Sequence, residues 1–453
     1  MKNYISRFLI NAILILFIII SLLIIFNSLI ILFNGNNEYN SFFYIIILVV
    51  SILSLIILLL SLGQKKEIKI NITIILISIT LTTYAVESYL YYLNKNLNSR
   101  EIRAKELKLP YDNRNKINVI DDLKKEGFDA YLKNVPILLS ESNGIPSENG
   151  NIFPLAGISE STTLLLNESG FYPIIETDEH GFNNPRDLYK DNIDILIIGD
   201  SYAEGDGVNS NENIAAFIRK KGYKVISLGQ NGNGPLIEYA SLREYGKYLK
   251  PKIVLWMYFV NDLGDLKIEL NSSLLKNYLS DKNFSQNLIN RQIEIDFILK
   301  DYLSKKMMNR KKNNGKQRIR IPDEIIKLKN IGALLNIVPK TYIETRGEVP
   351  KKEFEKILSY SKEMIENWGG KMHLIYLPSY FAYASKNENR FYSYVLETAK
   401  NNGIQTIDIH KEVFLEQKDP LELFSLKMNS HYNPKGYRLV AEEILKKIKE
   451  DNY

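Results

Sequence analysis

Three nearly uninterrupted apolar stretches, residues 8–33, 41–62 and 70–90, fill the first 95 positions of this 453-residue chain and decide what its N-terminal part can become. A helix needs roughly 17 to 25 apolar residues to cross a bilayer, and each stretch supplies them. Buried helices of a soluble core carry a polar stripe at helical spacing, which these stretches barely show. A cleaved leader has an apolar core of about 7 to 15 residues; the first stretch is longer, and two more follow it. The sequence therefore predicts a three-helix transmembrane anchor over residues 1–95, with the lipid bilayer as partner.

Charge flanking these stretches bears on orientation. Lys2 and Arg7 precede the first, Lys65, Lys66 and Lys69 follow the second, and the loop 34–40 between them has no basic residue. The excess of cations on the cytoplasmic side then puts the N-terminus inside and everything beyond the third stretch outside, in the periplasm. Lys95, Arg100, Arg103, Lys105 and Lys108 lie just past the third stretch and equal the inner cations in number, with Glu101 and Glu106 among them. Long domains translocate largely regardless of such charges, so an extracytoplasmic domain remains the expectation.

The chain has no cysteine, which rules out disulfides, thiolate metal sites and cysteine catalysis. Its formal net charge of +6 is spread along the sequence, except in residues 305–320, where eight Lys or Arg stand among Asn and Gly. That segment reads as a solvated insertion loop, or as a contact for lipid headgroups or an acidic glycan. No nucleic acid partner is expected, and the sequence does not reveal an oligomeric state.

Residues 96–190 are polar and turn-rich, an irregular lead-in expected to pack on the domain C-terminal to it. From Asp194 strands alternate with amphipathic helices: a strand at 195–198, a helix at 213–220, a strand at 224–228, a helix at 237–248 and a strand at 253–258. Such alternation predicts a parallel sheet covered by helices on both faces. A helical, basic insertion at about 266–365 interrupts it. The pattern resumes with strands at 373–377 and 405–409 around a helix near 390–401, and a helix at 434–447 closes the domain, 191–453.

Four short blocks carry chemistry. The strand Ile195-Leu-Ile-Ile runs into Gly199-Asp200-Ser201, which places a serine hydroxyl beyond the carboxyl end of a strand, where open parallel sheets bind ligands. Taken alone the tripeptide is also an ordinary capped turn. The next strand ends in Ser227-Leu-Gly-Gln-Asn-Gly-Asn-Gly-Pro235, whose glycines let bare N–H groups approach a ligand. The third ends in Tyr258-Phe-Val-Asn-Asp262 and offers a side-chain amide. Last, Ser430-His-Tyr-Asn-Pro-Lys-Gly436 brings His431 to the start of the final helix. A serine is a weak nucleophile until a base takes its proton, and backbone and amide donors can hold the oxyanion that its attack creates.

In this order, across roughly residues 194–450, the four blocks resemble those of SGNH hydrolases, the GDSL-like family. Residues 177–185, Thr-Asp-Glu-His-Gly-Phe-Asn-Asn-Pro, are similar to a segment that precedes the serine block in membrane-anchored bacterial members. The resemblance implies a three-layer α/β/α, flavodoxin-like domain with Ser201 as nucleophile and His431 as base. It also implies an oxyanion hole from the Ser201 amide, Gly232 and Asn261, and no cofactor. Counting from the strand end favours Gly232 over Gly229 or Gly234.

The family usually carries an acid two or three residues before the histidine; here those positions hold Asn429 and Met428. Asp200 and Asn429 are the supporting candidates. Orientation of the imidazole would fall to a backbone carbonyl or a more distant acid such as Asp408, Asp419 or Glu422, or activity would be weak or lost. His180, His373 and His410 show no metal-ligand spacing and read as packing or surface residues, so no metal is expected.

The expected function is a serine esterase acting on carboxylic, for instance acetyl, esters of an envelope glycan or lipid. Two alternatives stay open: an acyltransferase, in which a sugar hydroxyl replaces water, and a non-catalytic glycan-binding scaffold that keeps the fold.

Overall fold

The computed structural model describes residues 2–33, 41–97, 99–148, 150–314, 322–326, 328–334, 348–385 and 390–450. The loop 34–40 and the cations of 315–320 lie outside them. The chain divides into two compact units, 1–97 with 319–342, and 98–318 with 343–453.

The first unit is helical: α1 (Lys2–Phe33), α2 (Ser41–Leu62) and α3 (Lys66–Leu97). Phe8–Ile30 and Lys66–Asn96 are long and apolar enough to cross a membrane, while α2 carries a shorter apolar stretch, Ile47–Leu62. Burial here is inverted relative to a soluble bundle. Ser21, Ser28, Ser51, Ser61 and Thr73 are buried, whereas Leu16, Ile57, Leu60 and Leu81 point outward. Small residues inside and bulky aliphatic ones outside are what helix packing in lipid selects. Two short helices, Asp323–Ile326 and Lys329–Leu334, complete this unit. Buried Glu87 of α3 accepts the N–H groups of Asn330 at 3.0 Å and Ile331 at 2.8 Å, placing a carboxylate at the positive start of the second short helix. Part of the segment expected as an insertion in the α/β domain thus folds with the apolar helices.

The second unit begins with the lead-in, which is more ordered than expected. It forms α4 (Arg100–Glu106), α5 (Lys116–Lys125), a hairpin of β1 (Ile145–Ser147) and β2 (Gly150–Ile152), and an antiparallel pair of β3 (Thr162–Leu164) and β4 (Ile174–Glu176). Five parallel strands come next: β5 (Ile195–Gly199), β6 (Val225–Ser227), β7 (Ile253–Tyr258), β8 (Lys371–Tyr376) and β9 (Gln405–Asp408), in the order β6-β5-β7-β8-β9.

Side chains alternate across a strand, so β5, β6, β7 and β8 each feed two cores. Leu196, Ile198, Val254, Trp256 and Leu374 join one, with Leu236 and Ile237 of α8 (Pro235–Ser241) and with Phe354, Ile357 and Ile365. Ile195, Ile197, Val225, Leu255 and Ile375 join the other, with Ile214 and Ile218 of α7 (Ile214–Arg219) and Val440, Ile444 and Ile448 of the last helix, Pro434–Glu450. Two apolar faces make the strands near-continuous hydrophobic runs, as parallel sheets require. This is the expected three-layer α/β/α domain.

One boundary differs. The helix Lys351–Asn367 falls, but for its last two residues, within the expected insertion, 266–365, yet its Phe354, Ile357 and Leu358 are part of the sheet's core. Its amphipathic face makes it the cover of the sheet ahead of β8 rather than inserted material.

Leu255 is fully buried in the middle strand. Leu255→Ala is expected to cost about 2 to 5 kcal/mol, seen as a clear fall in melting temperature of the full chain in detergent, with exposed Lys220→Ala as the unaffected control.

Candidate active site

The three blocks expected at the sheet edge leave the carboxyl ends of three adjacent strands: β6, β5 and β7. β5 ends at Gly199, where a Cβ would lie 2.8 Å from Met257 Cβ and 2.9 Å from Ala203 Cβ, so only glycine lets the chain turn there. Asp200 then caps the single-turn helix α6 (Ser201–Glu204), accepting the Tyr202 N–H at 2.9 Å. Burial pushes the Asp200 carboxyl up to about 6, against the pull of that N–H and of His431.

Ser201 Oγ lies 2.7 Å from His431 Nε2 and 3.4 Å from Asp200 Oδ2. The shorter contact takes the hydroxyl proton. On the far side of the ring, His431 Nδ1 lies 2.8 Å from Glu168 Oε2, which also accepts the His431 backbone N–H at 2.6 Å. An ionised carboxylate only accepts, so Nδ1 carries a proton, and in the neutral ring Nε2 is left as the acceptor for serine. Burial works most strongly against the charge of His431, but Glu168, together with Asp206 and Asp200, outweighs it and lifts the imidazole to about 9. Burial likewise opposes the charge of Glu168, and His431 and Arg100 overcome it, leaving this carboxyl below its ordinary value.

The sequence does not single out Glu168. It stands in the loop between β3 and β4, in the lead-in, 263 positions before His431. Of the alternatives left open for orienting the imidazole, a more distant acid is the one found, but it is Glu168 and none of the three named. Asp408 instead takes the Tyr392 hydroxyl; Asp419 caps a turn and, with Glu422, pairs with Lys427. Asn429 meets the site through its backbone carbonyl, which accepts from Arg100 at 3.1 Å.

The glycine-rich loop is clamped around one backbone N–H that has no acceptor among the described residues. Asn231 N–H donates to Glu204 at 2.8 Å, Asn231 Nδ2 to Asp206 at 2.5 Å, and Gly234 N–H to Glu269 at 2.6 Å. Gly229 N–H donates to Ser227 Oγ at 3.3 Å, and a Cβ at Gly229 would fall 2.4 Å from Glu204 N. That leaves Gly232, at φ 77°, whose N–H has no acceptor among the described residues; the same holds for the Ser201 N–H. Lys133, on the lead-in, pairs with Glu204 and lies 3.6 Å from Asp206, so the lead-in braces this loop too. Asn261 ends the β7 block and donates one amide hydrogen to Asp265 at 2.6 Å, which leaves its second for another acceptor.

The remaining histidines sit apart. His180 Nδ1 meets Gln292 at 3.4 Å, His410 Nδ1 meets the Tyr383 hydroxyl at 2.7 Å, and His373 is buried in β8. Among the described residues no group of three or more His, Asp or Glu is arranged to hold a metal ion.

A hydroxyl, an imidazole and a carboxylate stand in hydrogen-bonded series at the carboxyl edge of a parallel sheet, an arrangement whose chemistry is that of a base-activated serine nucleophile. No family model matches the chain, and no curated protein is similar to it. Among solved structures it is similar to a lipase/acylhydrolase from Enterococcus faecalis, at 13% identity and TM-score 0.33 over 57% of this chain and 96% of that one. It is also similar to the psychrotrophic esterase EstA from Pseudoalteromonas sp., at 14% and 0.29 over 57% and 98%. The acetyl xylan esterase AlAXEase aligns at 13% and 0.31 over 56% and 100%. Likenesses this distant carry no weight for the chemistry, which is read from the geometry of the chain's own site.

With only four histidines in the chain, the ring of His431 can be followed by NMR in histidine-labelled protein. A midpoint near 9 is expected, and Glu168→Gln should move it to lower pH, because removing the carboxylate withdraws the stabilisation of the imidazolium.

Proposed function

We propose that the chain is a membrane-anchored serine ester hydrolase with Ser201 as nucleophile, His431 as general base and Glu168 as the acid that orients it. The observation that carries this reading is the unbroken series Ser201 Oγ, His431, Glu168, at 2.7 and 2.8 Å. His431 Nε2 takes the Ser201 proton as Oγ bonds to the ester carbonyl carbon. The carbonyl oxygen becomes an oxyanion, held by the N–H groups of Ser201 and Gly232 and by Asn261 Nδ2. Collapse breaks the bond to the alcohol, which leaves with the proton from His431. Water then gives a proton to His431, attacks the acyl-serine and releases the acid, and the proton returns to Ser201. Asp200 shapes the serine turn and takes no part in proton transfer; the scheme asks for no cofactor.

The apolar helices of the first unit support an anchor in the bilayer, with the α/β unit on the extracytoplasmic side. That setting favours an acyl group, for instance acetyl, on an envelope glycan or lipid as substrate. An acyltransferase would share the first half-reaction, and competition by acceptor hydroxyls in the assay separates it from a hydrolase.

The test is p-nitrophenyl acetate hydrolysis by the full chain in detergent. Ser201→Ala and His431→Ala should each lower kcat/KM by about 10^4-fold or more, and Glu168→Gln by roughly 10^2- to 10^4-fold. The base must be neutral to act, so wild-type kcat/KM should climb with pH through a midpoint near 9. Hydrolysis unchanged in Ser201→Ala would overturn the reading. Acetate release from acetylated polysaccharide, measured beside simple esters, tests the substrate.

A further inference from the structure

Glu168 stands in a loop, and neither a strand nor a helix fixes its side chain. Both contacts to His431 use Oε2, which leaves Oε1 to be satisfied from elsewhere. Arg100 does this: its guanidinium lies 2.7 Å from Glu168 Oε1, and the same nitrogen donates to the Asn429 carbonyl at 3.1 Å. One turn along, Arg103 Nε donates to the Leu426 carbonyl at 3.2 Å. Residues three apart share a helix face, so α4 presents both arginines to the site and grips the acid and the loop that carries the histidine. The histidine loop needs such a grip, since Leu426 and Lys427 sit consecutively at φ 55° and 51°, a backbone region costly for residues other than glycine.

We propose that Arg100 is a positioning residue that holds the Glu168 carboxylate against His431, so that hydrolysis depends on the docking of α4. This helix begins three positions after the last residue of α3. The segment just beyond the apolar helix then acts as part of the catalytic support, through the acid rather than by touching substrate. The inference rests on the reading of this site as an esterase.

Glu168 is only 4% exposed at its side chain, so without Arg100 its Oε1 is a buried, unsatisfied acceptor, and the cost of leaving it so favours a shift of the carboxylate away from the position its Oε2 holds against His431. Two outcomes on His431 separate positioning from a bare charge effect. His431 is faced by Glu168, Asp200 and Asp206, with the Tyr202 ring against it; Glu168 is faced by His431 and Arg100, with Tyr111, Tyr202 and Tyr437 nearby. If Glu168 stayed in place without Arg100, its full negative charge would act on the imidazolium and the midpoint would rise. If Glu168 drifts, the imidazolium loses its partner and the midpoint falls.

The experiment compares wild type, Arg100→Ala, Arg100→Lys, Glu168→Gln and Ser201→Ala as full chains in detergent, with kcat, KM and pH profiles for p-nitrophenyl acetate. Arg100→Ala should lower kcat by about 10- to 100-fold with KM changed less than about twofold, and move the pH midpoint down toward that of Glu168→Gln. Arg100→Lys should recover part of the rate, with the midpoint between. Wild-type kcat in Arg100→Ala, or a midpoint that stays or rises, overturns the positioning role. A slower Arg100→Ala enzyme that has also lost melting temperature is judged by the midpoint and by Arg100→Lys. If Ser201→Ala and Glu168→Gln hydrolyse the ester as fast as wild type, the esterase reading itself fails, a result distinct from failure at Arg100 alone.

Discussion

Glu168 and His431 hold each other, and the arrangement of the site depends on that pair. The carboxylate takes both the ring Nδ1–H and the backbone N–H of His431. The first contact fixes the tautomer, and the two together fix the angle at which the ring meets Ser201. A proton on Nδ1 leaves Nε2 as an acceptor 2.7 Å from the serine oxygen. The same carboxylate raises the basicity of the imidazole, which suits a group that must take a proton from an alcohol. Glu168 is buried and His431 largely so, and each supports the charge of the other against the cost of burial.

The sheet and the lead-in divide the labour. Parallel strands carry Ser201, the glycine loop and Asn261 to one edge, and the final helix begins beside them with His431. The lead-in encloses that edge from outside, supplying Glu168, Arg100 against Glu168, and Lys133 against Glu204. Buried carboxylates then do structural work: Glu204, Asp206 and Glu269 each receive donors from the glycine loop and leave the Gly232 N–H without an acceptor among the described residues. A donor held ready in this way needs no rearrangement when an oxyanion forms.

Much of this can be read from the sequence, and what cannot has a physical reason. The strand at 253–258 and the serine turn are legible because apolar runs of strand length bounded by turn residues, Pro251 and Asn261-Asp262 for the one and Asp194 and Gly199-Asp200 for the other, admit few other structures. Gly232 can be reached by counting, but the reason Gly229 and Gly234 do not serve lies in tertiary contacts that no spacing encodes. Glu168 is hidden because its neighbours, Asn167 and Ser169, read as an ordinary polar turn; only folding brings it across 263 positions to His431. The helix Lys351–Asn367 reads as part of the insertion because the basic stretch before it masks its amphipathic face. Glu87, an acid within an apolar helix, gives no hint that its partners are the N–H groups of Asn330 and Ile331.

The central claim is that Ser201 is a nucleophile made reactive by His431 and Glu168. Reaction of the full chain with a fluorophosphonate, followed by mass spectrometry of the intact protein and its peptides, tests it most directly, because the reagent reports the nucleophile without a substrate having to be known. A single adduct on Ser201 is expected, formed far more slowly in Glu168→Gln and absent in His431→Ala. Labelling of Ser201 at an equal rate in all three proteins, or no labelling of the folded wild type, would contradict it.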